Sequence, residues 1–542
     1  GSDDDGGTAG ADGGAGAGVG ALKDPALGAA LAELAGLGGA ALQILVTSRY
    51  PLRLPAESID AFNLDLGALS PAEARKLKLT REGLRGVEEA DWRRILFYLG
   101  GHPKALELLG DYLRTNARRL PTLMKNLEAT LGRVDKRLAA EAQLRGRRLL
   151  IDEVLRAVPA AHLPALDRLC LLVTPLPTPE LVAILEADGI ADALGQIEAL
   201  RDRGLLAETV APNAIEGGDA VHRLVASRRL GALAEREGEA AAVAFHRRAA
   251  EHFEKREGPL SDYEIAAHHL AQAGDPAGAL GLYDLWAIAL RDRHAYMAAA
   301  QVALRGMQEI GHDGSEAARV AEANLWIRVH DGLLPLGDVK AAAAALDRAE
   351  AVLAGLEGRD AAFVSAGTNM LKGRLLVTRG DVGGATVLLE KARTGFETSG
   401  AMRETAIVLG DIARLRARAG DVQGAMALHQ EMLAIFEQLG DKRERAVTLG
   451  DIARLRAQAG DVQGAMALHQ ERLAVYEQLG DTRSRAVTLG DIARLRADAG
   501  DVQGAMALHQ EMLAIFEQLG AKRERAVTLG DIARLRADAG DV

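Results

Sequence analysis

The chain has one cysteine in 542 residues, 3% aromatic residues, no long apolar run and no positive excess. The lone Cys170 excludes an intrachain disulfide framework and fits a reducing, cytoplasmic setting. No stretch approaches the roughly 18 apolar residues that span a bilayer, so no membrane partner is expected. A net charge of −11 argues against nucleic acid or an anionic membrane surface as ligand. The phosphate loop GxxxxGK[ST] is also missing. Without its lysine and backbone cradle, this chain alone is expected neither to hold Mg-nucleotide tightly nor to hydrolyse it.

What is present is rich in Ala, Leu, Gly and Arg, which favours helix over sheet, so a mainly α fold is expected. The chain opens on Gly1-Ser2 rather than Met and stops partway through a repeat. We therefore expect the C-terminal part of a longer protein. In the opening "DDD", Asp3 and Asp4 read either as the magnesium-side acids of a truncated Walker B strand or as an acidic linker. "LQILVTSR" reads as a buried strand ending at Arg49. Ser70, Pro71 and Glu73 form a helix-start signature. "GLLAETVAPNAIEGGDAVHRLVA" breaks the helical pattern and predicts a β-hairpin behind a helix.

From about residue 236 onward, helix pairs are punctuated by Gly-Asp, at 274–275, 337–338, 380–381, 420–421, 460–461 and 500–501. The last units are nearly identical and recur every forty residues, as in "RAVTLGDIARLRAQAGDVQGAMALHQERLAVYEQLGD". Neither helix of such a pair can bury its apolar face alone. Stacked neighbours share one core, which predicts an α-solenoid. Small residues at the helix crossing (Ala453, Ala465) and Gly460 at the turn resemble the tetratricopeptide repeat. The unit is longer than the usual length of about 34, and Met432 or Arg472 stands where that family has a small residue.

Three earlier stretches fall in an order that resembles STAND signalling ATPases of the NB-ARC and NACHT kind. "ILVTSR" is similar to their sensor strand, "GGHPKALELL" to their G-x-P motif, and "VHRLVASRRL" to the histidine motif of their winged-helix domain. The resemblance implies that Arg49 reaches a terminal phosphate, Pro103 packs on adenine and His222 bonds the β-phosphate of ADP. The residue types suit those tasks: a permanent cation, a flat apolar ring and a donor to phosphate. The plain readings remain a strand-end arginine, a helix start and a packed histidine. Arg223 replaces the family's acidic residue after the histidine.

The resulting division is a flexible Gly/Ala/Asp-rich segment (1–22), a remnant of an α/β nucleotide-binding core (23–66), a helical domain (67–148) and a winged-helix domain (149–235). Divergent repeats (236–400) and near-identical repeats (401–542) follow. The resemblance implies a signal-sensing switch, in bacterial defence or signalling, whose repeats bind a peptide or protein. ADP or ATP with Mg would be its cofactor in the full-length protein, and opening would drive homo-oligomerisation. The alternatives are a tetratricopeptide binding scaffold with a decayed nucleotide core, and a transcription regulator whose DNA-binding domain lies elsewhere.

The ligand groove is expected on the first helix of each unit. "DIARLRA" is identical in four copies, while the residue after it is Arg418, Gln458, Asp498 and Asp538. Arg414, Arg454, Arg494 and Arg534 lie one turn earlier and form a ladder suited to a long partner. Drift at an exposed position, with Arg454 merely pairing with Asp451, is the competing explanation. His429, His469 and His509 lie one repeat apart and cannot converge on a metal.

Overall fold

A computed structural model describes residues 68–131, 139–210, 217–221, 223–256, 258–311 and 313–538, with the dipeptides 20–21 and 52–53. Those dipeptides pair in parallel, Gly20 with Leu52 and Ala21 with Arg53. The strand expected to end at Arg49, the acids Asp3 and Asp4, and His222 lie outside the described residues. The chain divides into two compact units, Gly1–Leu233 and Ala234–Val542.

The first unit begins with the expected capping box. Ser70 accepts from the Glu73 amide while the Glu73 carboxylate accepts from the Ser70 amide, and Pro71 opens the helix Pro71–Thr80. "GGHP" is a stop followed by a start. Gly100 (φ 66°) and Gly101 (φ 62°) both take the left-handed region that glycine tolerates and end the helix Glu89–Leu99. His102 then caps the helix Pro103–Asn116, its Nδ1 accepting from the Ala105 amide at 3.3 Å. Trp92, Ile95, Leu106, Leu109 and Leu127 fill the core around these helices.

Further along, the order is helix Leu163–Leu169, a β-bridge at Leu176, helices Thr178–Ala187 and Ala193–Asp202, then strands Leu206–Val210 and Gly217–Val221. The two strands form the predicted antiparallel hairpin, with Leu206 opposite Val221. Leu176 bridges to Asp219 as a third rung. The rung is possible because Gly218 has no side chain; a Cβ there would stand 2.5 Å from the Leu176 carbonyl carbon.

The second unit is a succession of antiparallel helix pairs, the α-solenoid read from the repeat. Each Gly-Asp step has a local cause. Gly420, Gly460 and Gly500 sit at φ 85–87°, closing one helix, and the following aspartate caps the next. Asp421, Asp461 and Asp501 each accept from the amide three residues on, at 2.8, 2.8 and 2.9 Å. Gly440-Asp441 and Gly480-Asp481 repeat the device at the start of the first helices. Ala453 and Ala465 meet at the crossing with Leu495, all buried.

Candidate functional site

The near-identical units comprise first helices Met402–Arg418, Lys442–Gln458, Thr482–Asp498 and Lys522–Asp538, and second helices Val422–Leu439, Val462–Leu479 and Val502–Gln518. In the first helix Ala406, Leu409, Ile412 and Ala413 turn inward at i, i+3, i+6 and i+7. That phase places positions 411, 414 and 418, and their repeats, along one outward stripe. Arg454 and Arg494 on it are 65% and 70% exposed. Arg418, Gln458 and Asp498 are exposed as well. Asp538 lies in the last helix, its side chain outside the described set.

Arg414 and its three repeats each pair with the aspartate three residues before. Arg454 reaches Asp451 at 3.0 Å, Arg494 reaches Asp491 at 3.4 Å and Arg534 reaches Asp531 at 3.5 Å. Arg414 pairs with Asp411, which also accepts from Arg374. These arginines are therefore paired and exposed together. An exposed i, i+3 pair is worth roughly 0.5 kcal/mol, so it holds the guanidinium in place without withholding it from a ligand.

Beneath the stripe lie the three recurring histidines, all buried. His429 on one second helix lies within electrostatic reach of Asp451 on the next unit's first helix; His469 and His509 relate likewise to Asp491 and Asp531. Burial holds each imidazole below its usual range, and the aspartate opposes that shift. Among the described residues each Nδ1 finds no hydrogen-bond partner. Each of these three seams thus joins a buried histidine, an aspartate and an arginine. The forty-residue spacing announced the histidines, but their burial against the next unit depends on helix phase across the seam. Among the described residues no cluster of His, Cys, Asp and Glu could hold a metal ion.

The nucleotide positions fare differently. Pro103 occupies the first turn of its helix, the plain reading of that motif. The residue that sequence reasoning passed over is its neighbour His102, whose pKa burial lowers, with the Arg147 charge adding to the effect. Arg49 and His222 lie outside the described residues. Just before His222, Asp219 is buried and accepts from Arg201 through both oxygens and from Thr178 at 2.9 Å. That triad fixes the hairpin to the helices Thr178–Ala187 and Ala193–Asp202. Among the described residues no helix is long and apolar enough to cross a membrane.

The tetratricopeptide repeat family matches residues 404–478. No curated protein matches the chain. Among solved structures it is similar to a STAND protein with a tetratricopeptide repeat sensor from Pyrococcus horikoshii. There the identity is 13%, the match covers 88% of this chain and 70% of that chain, and the TM-score is 0.43. A putative kinesin light chain from Podosopora anserina with nearly identical TPR-like repeats shares 20% identity over 36% of this chain and 95% of that one, at 0.32. A Rap protein complexed with competence and sporulation factor shares 11% identity over 56% and 93%, also at 0.32.

Proposed function

We propose that the chain is the sensing part of a STAND-type signalling switch, in which the repeats capture a peptide or protein along their first-helix stripe. The observation that supports capture there is a fixed, buried frame beneath an exposed stripe whose side chains differ between copies, at Arg418, Gln458 and Asp498.

The link to a nucleotide rests on other features. Helix, bridge, helix, helix and hairpin follow one another between residues 163 and 221, the order of a winged-helix domain. His222 follows directly on the hairpin. In this reading it bonds ADP in the closed state, and ligand capture by the repeats favours exchange for ATP, opening and self-association. Arg49 and Pro103 are the remaining nucleotide contacts. The second reading is a binding scaffold in which the repeats do all the work.

Arg454→Glu combined with Arg494→Glu tests the common core of both. Pull-down of a partner by the parent chain, lost by the double variant at an unchanged melting temperature, is the expected result. Unchanged capture moves the binding surface off this stripe.

A further inference from the structure

Three buried histidines stand at three joints of the array. His429, His469 and His509 are 2%, 5% and 5% exposed on their second helices. Another buried histidine of the solenoid is anchored differently, for the His330 Nδ1 meets the Ala342 carbonyl at 3.1 Å. At the three seams, among the described residues, no acceptor stands at Nδ1. The difference matters when a proton arrives. An imidazolium carries an N–H on both ring nitrogens, so here a charged ring would hold a buried N–H with nothing to receive it. Such a donor is costly to leave unmatched, and more so with a charge.

The charged groups around each ring come from both units of its seam. His429 faces Arg414 on its own unit's first helix, with Asp451 and Arg454 on the next. His509 faces Arg494 on its own unit's first helix and Asp531 on the next. His469 faces Arg454 on its own unit's first helix, Asp491 and Arg494 on the next, and Arg472 on its own helix. Arg472 stands where the flanking units have Met432 and Met512. It lies in a notch at Gly450, where a Cβ would come within 2.9 Å of Nη1, and Nη1 donates to Asp491 at 2.8 Å. The middle seam is therefore bridged by an ion pair that its neighbours lack, and the same guanidinium opposes a proton on His469.

We propose that the three seams are proton-driven hinges, each closed around a neutral histidine and loosened when the ring takes up a proton, with Arg472 holding the middle seam closed longest. In a loosened seam the ring reaches water and titrates in its ordinary range near about 6.5. In the closed seam burial holds it below that range. Above that range neither state binds the proton and the seam stays closed. Below it the loosened seam binds more protons, and each pH unit favours loosening up to about tenfold per seam until the closed ring itself titrates. Solenoid contacts join nearest neighbours only, so each seam responds by itself. The hinges need no ligand, and their test stands apart from peptide capture.

Histidine ring NMR of the full chain, with resonances assigned by single His→Gln variants, follows the seams from pH 7.5 to 5. Small-angle X-ray scattering follows the dimensions over the same range. We expect the three rings to titrate below the ordinary range, His469 lowest. The radius of gyration should rise with acid more in the parent than in His429→Gln/His469→Gln/His509→Gln. Each single variant should remove about a third of that difference, so the test survives a triple variant that does not fold. Arg472→Met should bring the titration of His469 up toward that of His429 and leave the other two unmoved. Methionine at this place is already accommodated in both flanking units, so this variant should fold as the parent does.

Parent and histidine variants that expand equally overturn the hinges, as does titration of the seam rings with no expansion. Rings that titrate in the ordinary range overturn them as well, because a closed seam would then not exclude the proton. A His469 titration unmoved in Arg472→Met overturns the part assigned to Arg472.

Discussion

His246 and His269 share a hydrogen bond of 2.9 Å between their Nδ1 atoms, inside the packing of helices Glu239–Lys255 and Asp262–Gln272. Both rings are buried, Phe253 stacks on His269, and among the described residues the His269 Nε2 has no partner. One imidazole donates and the other accepts, so the accepting ring must be neutral, and burial disfavours a charge on either. Burial, with help from the neighbouring histidines, pushes His246 down to about 4 and His269 down to about 3.

The folded pKa values lie below the unfolded value of about 6.5, so the unfolded chain binds more protons in between. Stability is fully present above that value and is lost as pH falls toward about 4, by up to about 1.4 kcal/mol per pH unit for each ring. Thermal melts of the parent and of His246→Leu/His269→Leu between pH 7.5 and 4.5 check this. The parent should lose stability more steeply with acid than the variant, and parallel curves would mean the pair is not neutral in the native state.

At the repeat turns Asp461→Ala should cost about 1 kcal/mol, while Asp461→Asn should cost much less, since the amide oxygen can still accept from the Gly464 amide. Gly460→Ala forces a side chain into the left-handed region at φ 87° and should cost about 1–2 kcal/mol, although no atom lies within 4 Å of its Cβ. Denaturant titrations that show both alanine variants as stable as the parent would remove the local-punctuation account of the solenoid.

In the first unit, Asp219→Ala removes the acceptor for both Arg201 and Thr178 at a buried site. Arg201 is partly exposed and can find water, so the loss should be about 1–3 kcal/mol rather than the larger cost of stranding a buried charge. Amide exchange should accelerate at Leu206 and Val221, the ends of the hairpin, more than in the helix Pro103–Asn116. Uniform acceleration would show that Asp219 supports the whole unit instead.

The elements legible in the sequence are those whose cause is local. Ser70 with Glu73, and each Gly-Asp step, spell a helix boundary within four residues. The hairpin announced itself by two short apolar segments around a glycine-containing turn. His246 and His269 gave no such sign, for their bond joins two helices across 23 residues and depends on the phase of both. Arg472 was visible only as a departure from a small residue. That it fills a notch at Gly450 and reaches Asp491 follows from the crossing of three helices, which no single segment encodes. The arginine stripe was readable as a pattern, but its pairing and its exposure became compatible only once the burial of positions 409, 412 and 413 fixed the helix phase.

The seam geometry also bears on how such a chain changes length. Removal of residues 441–480 would join Gly440 to Asp481, the same Gly-Asp step that stands at both ends of the excised stretch. Asp491 would meet His429 as Asp451 does now, and the cap of every remaining helix would stay within its own four residues. Insertion of a further copy works by the same logic. Nearest-neighbour contacts then make the forty-residue module a unit of inheritance, gained or lost by unequal recombination without a frustrated joint, so arrays of different span can arise from one coding repeat.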